Sequence, residues 1–300
     1  MLKIAWSEIF AHSLPDGHRF PMLKYELLPQ QLIHEGTITK DNLFEPGLLN
    51  EEYILSTHCK TYWERLSSLK LTQSEIRKTG FPHSKELVHR ESCIMSGTVM
   101  GAEYALIHGI AMNVAGGTHH AFTNRGEGFC LLNDIAIAAN YLLNKKKLNK
   151  ILVIDLDVHQ GNGTAEIFKN NKQVFTFSMH GEKNFPLHKE KSDLDIALPD
   201  YTDDKFYLKI LQETLAKLIE DVQPEFVFFL SGVDVLSTDR LGRLSLTREG
   251  CKERDKIVLN TCKINSIPVV VSMGGGYSEK INDIIEAHAN TFRLAQYIYF

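Results

Sequence analysis

The second half of the chain alternates short apolar runs with longer segments of helical period. From residue 84 onward, segments of helical period separate or follow apolar runs of strand length. The predicted strands read AMNVAGG, ILVIDLD, VFTFSMH, FVFFLSG and VVVSMGG, at residues 111–117, 151–157, 174–180, 226–232 and 269–275. The predicted helices span residues 84–108, 132–144, 203–221, 247–263 and 279–297. Continuous apolar strands that alternate with helices indicate a parallel sheet covered on both faces, so we expect an α/β fold.

The first 80 residues are less regular. They suggest an opening strand at residues 3–6 and helices at residues 25–34 and 61–69. The chain has no internal repeat, no low-complexity segment and no linker rich in Pro, Gly or Ser. We therefore expect a single domain over residues 1–300.

Composition and charge narrow the function classes. A net charge of -4 argues against a nucleic acid or an anionic membrane as a direct partner, and the basic run from Lys145 to Lys147 is interpreted as a solvated helix end. The sequence contains no apolar run of about 18 residues, so no membrane span is expected, and the N-terminus lacks a signal-peptide pattern. The five cysteines form no CxxC pair, which favours a reducing compartment, cytoplasmic or otherwise intracellular, and argues against a thiolate metal site.

Unusual polar residues follow four of the predicted strands, at the point where each strand ends. Ligands of open α/β sheets bind beyond the carboxyl ends of the strands, so these residues are expected to converge at one edge. They are His119, His120, Asp155, Asp157, His159, Asp234 and Tyr277.

Asp157 and His159 are candidate metal ligands. They lie two residues apart, and an extended chain points such side chains the same way. A carboxylate and an imidazole suit zinc, and Asp234 would complete the three-ligand arrangement of a catalytic site. Taken alone, the pair is also compatible with a loop-capping Asp beside an ordinary His.

Three further features have a catalytic and a plain interpretation. The adjacent His119 and His120 suit proton transfer near neutral pH, but they could equally be solvated loop histidines. Tyr277 follows a glycine-rich turn and is placed to donate a hydrogen bond to a developing oxyanion, although such turns are common for backbone reasons alone. Phe129 could form the wall of a narrow substrate channel, or it could simply pack in the hydrophobic core.

Five motifs together resemble the histone deacetylase superfamily. GGTHHAF, GEGFCLLND, VIDLDVHQGNGT, SGVD and GGGY occur in the order and approximate spacing of that family, between about residues 80 and 280. GNG in place of GDG, and DRLG after Asp234, are most similar to class IV deacetylases and their bacterial relatives. The resemblance implies a three-layer arginase/deacetylase-like fold with a mainly parallel central sheet of about eight strands.

The resemblance also implies roles for the residues that match the motifs. Zinc would be held by Asp157, His159 and Asp234. His120 would be the general base, His119 its electrostatic partner, and Tyr277 would polarise the acyl carbonyl. Asp155 and Asn162 would orient the two histidines. The substrate tunnel would use Gly128, Phe129, Phe185, Leu241 and Gly275. A structural potassium ion would use Asp155, Asp157, His159, Ser178 and Met179.

The expected function is therefore zinc-dependent hydrolysis of acyl-lysine amides in proteins or peptides. Class IV resemblance extends this expectation to long-chain acyl groups. Two alternatives stay open, namely an acetylpolyamine amidohydrolase and a non-catalytic acyl-lysine binding module. The sequence does not distinguish iron from zinc, and it does not predict an oligomeric state.

Overall fold

Eight parallel strands form one sheet at the centre of the computed structural model, which describes residues 1–146 and 148–300. The sheet order is β2-β1-β3-β8-β7-β4-β5-β6. The strands are β1 Lys3–Ala5, β2 Leu43–Phe44, β3 Ile110–Asn113, β4 Ile151–Asp155, β5 Val174–Gly181, β6 Leu194–Leu198, β7 Phe226–Leu230 and β8 Val269–Ser272. Every neighbouring pair is parallel, which confirms the predicted α/β class and the sheet of about eight strands.

Helices surround the sheet. Helix α5 packs on β1, β3 and β8, whereas α9 packs against α8 and α10, and α1 packs against α10. The helices are α1 Lys24–His34, α2 Glu51–Leu55, α3 Lys60–Ser67, α4 Gln73–Thr79, α5 Lys85–His108, α6 Asp134–Tyr141, α7 Asn162–Phe168, α8 Asp204–Val222, α9 Arg248–Ile264 and α10 Ile281–Tyr299. Short 3-10 turns lie at Glu8–Phe10 and Lys40–Asn42, and a π-helical turn spans Leu142–Lys146.

The sequence explains both kinds of element. Strands β4, β7 and β8 are buried at every position, which is why they appear as unbroken apolar runs. Three long helices begin at a polar side chain that accepts a hydrogen bond from the first helical turn. These capping residues are Ser84 for α5, Asp203 for α8 and Thr247 for α9.

Four of the strands end earlier than their apolar runs predict. β3 stops at Asn113, because Gly116 and Gly117 turn the chain with φ of 84° and 73°. β4 stops at Asp155, so the extended spacing expected for Asp157 and His159 was wrong. These two residues lie in a turn in which the His159 N–H donates to Asp157 Oδ1. Strands β7 and β8 likewise end before their predicted final residues.

The basic run at the end of the predicted helix is partly paired. Lys145 lies 3.3 Å from a Glu52 carboxylate oxygen, and Lys146 lies 2.8 Å from Glu103. Lys147 lies outside the described residues. Over residues 1–146 and 148–300, no helix combines the length and apolar character needed to cross a membrane.

Candidate active site

A buried cluster of two carboxylates and one imidazole lies beyond the carboxyl ends of β4 and β7. These strands are neighbours, so the loop with Asp157 and His159 meets the loop with Asp234. His159 Nδ1 lies 3.0 Å from Asp157 Oδ1 and 3.1 Å from Asp234 Oδ2. One potential ligand atom from each residue lies within 4.8 Å of the other two. The three residues predicted to bind metal are therefore brought together.

Backbone N–H groups hold both carboxylates in place through hydrogen bonds. The Val158 N–H donates to Asp234 Oδ1 at 2.9 Å, and the Gly275 N–H donates to Asp157 Oδ2 at 2.8 Å. A β-carbon at Gly275 would collide with the carboxylates of Asp234 and Asp157. Glycine is therefore required here for close approach, and the loop after β8 positions the cluster.

The electrostatics of the cluster suit a cation. Burial and the nearby Asp157 carboxylate raise the pKa of Asp234 to about 7. Burial alone would raise the pKa of Asp157 as well, but the imidazoles of His119 and His159 hold it well below its usual range. A divalent cation between two buried like charges relieves their repulsion. Two carboxylates and an imidazole also match the ligand chemistry of zinc, so the residues fit this metal.

The adjacent histidines lie next to this cluster and have different partners. Their ring centroids are 4.0 Å apart. His119 Nδ1–H donates to Asp155 Oδ2 at 2.7 Å, whereas His120 Nδ1–H donates to the Asn162 amide oxygen at 2.6 Å. Both partners are those that the sequence resemblance implied.

These partners separate the pKa values of the two histidines. Burial would lower the pKa of His119, but the Asp155 carboxylate outweighs burial and raises it. Burial and the neighbouring rings of His119 and His159 hold the pKa of His120 well below its usual value. The Asn162 amide has no charge with which to oppose this. The geometry therefore favours a protonated His119 beside a neutral His120.

Tyr277 faces the same space from the loop after β8. Its backbone N–H donates to Asp239 Oδ2 at 2.6 Å, which fixes the backbone from which the side chain projects. Its ring centroid lies 6.4 Å from that of His159. Burial and the Asp234 carboxylate raise the pKa of the phenol well above its ordinary value, so the hydroxyl stays a proton donor. Among the described residues, the hydroxyl has no hydrogen-bond partner.

Four of the five predicted tunnel residues, Gly128, Phe129, Phe185 and Leu241, line an open pocket of about 780 Å³ that reaches His120 and His159. The fifth, Gly275, lies outside this lining. The Phe185 ring packs edge-on against His120, with centroids 4.9 Å apart, and is 42% exposed. Gly128 lies between these rings, since a β-carbon there would reach the His120 ring. Phe129 adopts a φ of 66°, which few non-glycine residues do, and Leu241 also lines the pocket.

A second cavity, of only about 40 Å³, continues inward past the ligand cluster. Its lining includes Phe20, Tyr25, Phe81, Arg90 and Ile94, none of which lines the outer pocket. Space of this size holds roughly three water molecules. The inner part of the site is therefore small.

The residues predicted to bind potassium are neighbours across β4 and β5. The parallel register places Asp155 opposite Ser178, and Met179 follows on β5. Ser178 Oγ lies 2.9 Å from His180 Nδ1. All five residues of the set are buried. Potassium binding stays a prediction.

Two charged residues of the site were missed in the sequence. Lys24 is fully buried at the start of α1, and its ammonium donates to the Gly274 carbonyl at 3.0 Å. Burial lowers its pKa to about 8. Asp239 accepts hydrogen bonds from the N–H groups of Leu241, Gly242 and Tyr277. Lys24 could have been found from its place four residues before Leu28 on an apolar helix face, and Asp239 is the Asp of DRLG.

The fold and site define an α/β protein whose chemical groups converge at the carboxyl edge of a parallel sheet. Residues 18–292 match the Histone deacetylase domain family. The chain belongs to this family, and it is a hydrolase of the histone deacetylase type.

Relatives cover nearly the whole chain. An uncharacterized protein from Picosynechococcus is 43% identical over 286 residues, which are 95% of each chain. Histone deacetylase 2 of Arabidopsis thaliana is 28% identical, over 89% of this chain and 72% of its own. The acetoin utilization protein AcuC of Staphylococcus xylosus is 25% identical, over 90% and 76%. The crystal structure of an HDAC homolog complexed with SAHA superposes with a TM-score of 0.82 at 26% identity, over 98% and 82%.

Proposed function

We propose that this protein hydrolyses the amide bond of acylated lysine side chains in proteins or peptides, with zinc as its metal. One observation carries the proposal. A buried ligand cluster lies beside two histidines whose partners differ in charge, the Asp155 carboxylate for His119 and the neutral Asn162 amide for His120. A base and a cationic partner within one pocket are what acid–base hydrolysis of an amide requires.

The zinc would be held by Asp157, His159 and Asp234. When bound, zinc polarises the acyl carbonyl and lowers the pKa of water to about 7. These three protein ligands leave room for substrate, as catalytic sites do. Metal analysis of the protein purified from cells distinguishes zinc from iron, the second metal compatible with these ligands.

His120 is the proton carrier in this proposal. Its Nδ1–H donates to Asn162, so the lone pair of Nε2 is free to accept a proton. Its low pKa keeps it neutral before the reaction. It takes a proton from water during attack on the carbonyl carbon. It then gives that proton to the lysine amine as the C–N bond breaks, releasing lysine and a carboxylic acid.

His119 and Tyr277 stabilise charge. The hydrogen bond to Asp155 raises the pKa of His119 and favours its protonated form, which would supply positive charge beside His120. The Tyr277 hydroxyl remains protonated and donates to the substrate oxygen as negative charge develops there. A positioned donor of this kind contributes about 10²–10³ in rate.

The inner cavity supports a short acyl group. Its volume of about 40 Å³ suits the methyl end of an acetyl group. A long chain would have to displace the aromatic wall of Phe20, Tyr25 and Phe81, which are packed against one another or against Phe129. We therefore propose acetyl-lysine, rather than a long-chain acyl-lysine, as the preferred substrate.

The other two functions have less support. An acetylpolyamine is a polycation, and the outer pocket is lined by five basic side chains and one acidic one outside the catalytic groups. These charges would repel it. A non-catalytic binding module has no need for the differently protonated His119 and His120, nor for a free phenol at Tyr277.

The test is a panel of acetyl-, octanoyl- and myristoyl-lysine peptides together with acetylpolyamines, with kcat/KM measured for each. We expect the highest value for acetyl-lysine, loss of turnover with a chelator and recovery when Zn²⁺ is returned. His120→Ala and Tyr277→Phe should each lower kcat by about 10²-fold or more. The exposed Tyr297→Phe is the matched control and should keep wild-type rates. Full turnover in either site variant, or in metal-free protein, contradicts the mechanism, and a preference for myristoyl-lysine contradicts the short acyl site.

A further inference from the structure

The charged side chains that line the outer pocket are mostly basic. Besides the catalytic groups, its lining includes the five basic residues Arg19, Lys78, Lys183, Arg240 and Arg243, which we call the entrance cations. The acidic residue in the lining is Glu127, and Arg125 Nε already lies 2.9 Å from its carboxylate. The chain as a whole carries a net charge of -4, so this positive entrance is a local feature.

Three of the entrance cations are unpaired. Arg243 and Lys183 share the Asp200 carboxylate, at 2.6 and 3.6 Å. Within residues 1–146 and 148–300, Arg19, Lys78 and Arg240 form no ion pair and are exposed. Their charges are therefore available to a ligand.

The unpaired cations come from three separate segments, and each is attached to a wall of the pocket. The Arg19 guanidinium lies 5.1 Å from the centre of the Phe129 ring. The Lys78 carbonyl accepts the Gly128 N–H at 3.0 Å. Arg240 directly follows Asp239, the carboxylate that accepts the Leu241 and Tyr277 N–H groups. Three separate segments therefore each bring one unpaired cation into the lining of the pocket.

An acylated lysine side chain carries no charge, so it gives these cations nothing to bind. We propose that they recognise aspartate or glutamate side chains that flank the acyl-lysine in a peptide, so that the enzyme selects acidic sequence contexts. This inference rests on the proposed function. Arginine suits the task, because its planar guanidinium binds a carboxylate through two parallel hydrogen bonds.

Matched acetyl-lysine peptides test the proposal. One set has Glu at the flanking positions, one has Gln and one has Lys, and kcat/KM is measured at low and at high salt. We expect the Glu peptides to be preferred over Gln by about tenfold at low salt, from roughly twofold for each of the three unpaired cations. Salt should reduce this ratio, because exposed charges are screened. Equal kcat/KM for all three peptides would overturn the proposal.

Variants distinguish local from overall charge. The triple variant Arg19→Gln, Lys78→Gln, Arg240→Gln should bring the Glu-to-Gln ratio close to one. The control Lys172→Gln, Lys217→Gln, Lys263→Gln changes the net charge equally at exposed positions outside the pocket lining, and its ratio should stay at the wild-type value. A ratio that falls equally in both variants assigns the effect to net charge and refutes the entrance site.

Binding separates this inference from the proposed function. Affinities of the same peptides for Tyr277→Phe are measured by fluorescence anisotropy, which requires no turnover. If Tyr277→Phe binds the Glu peptides more tightly, the entrance site is supported even when the wild-type protein hydrolyses none of the peptides. Absence of hydrolysis by the wild type would reject the proposed function alone. Equal affinities reject the entrance site. An oligonucleotide that displaces the Glu peptide at equal charge concentration would assign the cations to nucleic acid and overturn the proposal.

Discussion

A single amide distinguishes the two histidines of this site. Asn162 and Asp155 hold equivalent nitrogens of neighbouring rings at 2.6 and 2.7 Å, yet only Asp155 carries a charge. The pKa of His120 is lowered and that of His119 is raised. Changing the amide to a carboxylate should therefore remove much of the difference.

Asn162→Asp should raise the pKa of His120, because a carboxylate stabilises the imidazolium. His120 must be neutral to act as a base, so the acidic limb of the pH–kcat/KM profile should move upward by about one pH unit or more. The profile of acetyl-lysine peptide hydrolysis measures this. Asn171→Asp, in an exposed turn, is the control and should leave the limb in place. An unmoved limb in Asn162→Asp would show that His120 is not the titrating base.

Gly275→Ala tests the close packing behind the ligand cluster. The added methyl group collides with the Asp234 and Asp157 carboxylates, so we expect Zn²⁺ affinity and kcat to fall by at least about tenfold. Gly101→Ala is the matched control, since a β-carbon there meets its nearest neighbours at 3.8 Å. Isothermal titration with Zn²⁺ reads the affinity directly. Wild-type affinity in Gly275→Ala would mean that the loop moves aside at little cost.

At the scale of elements, His58 joins the loop before α3 to the start of α6. The ring donates from Nδ1 to the Phe122 carbonyl at 2.9 Å and accepts the Asn133 N–H at Nε2 at 3.0 Å. Asn133 is the capping residue of α6. Only neutral histidine satisfies both contacts, and burial lowers the pKa of His58 from 6.5 to about 4.

This pKa makes part of the folding stability depend on pH. Unfolded His58 binds a proton below about pH 6.5, but the folded protein resists that proton until about pH 4. The stability from this residue is therefore complete above pH 6.5 and falls away towards pH 4, by about 3 kcal/mol. Urea unfolding across this range should show a smaller loss for His58→Gln than for wild type, by about that amount. The exposed His34→Gln is the control and should follow the wild type, and identical slopes for all three proteins would contradict the assignment.

Long elements were predictable and short ones were not. Helices α5, α8 and α9 begin within one residue of their predicted starts, because a capping side chain precedes each. Strand β6 lies at the edge of the sheet and alternates exposed with less exposed positions, so it lacks the apolar run that marks the central strands. The two-residue β2 and the five-residue α2 carry too few positions to show any period.

The same contrast holds for the site. The predicted ligands, histidines and Tyr277 follow strands whose ends share one edge, so topology alone brings them together. Lys24 comes from α1, in the part of the chain with the weakest pattern, and reaches the Gly274 carbonyl across 250 residues of sequence. Local sequence contains no signal for such a contact. The cavity behind the cluster is formed by side chains from several segments, so its size emerges only from their packing.

At the scale of the whole molecule, the net charge and the local charge at the pocket entrance have opposite signs. The net charge of -4 repels acidic partners at a distance, whereas the entrance cations would attract them at close range. Discrimination in favour of an acidic peptide would therefore come from contacts in the bound state rather than from long-range steering.

The sheet order also determines when the site can exist during synthesis. Strands β2, β1 and β3 form one group and β7, β4, β5 and β6 another, and β8 is the strand that pairs with both. The histidine pair follows the first group, whereas the three ligands follow the second. A nascent chain that has left the ribosome only as far as residue 268 holds all five residues but cannot pair its two half-sheets. The complete active site, with the histidine pair beside the three ligands, would then be among the last parts of the protein to assemble, after the final strand and the loop with Gly275 and Tyr277 emerge.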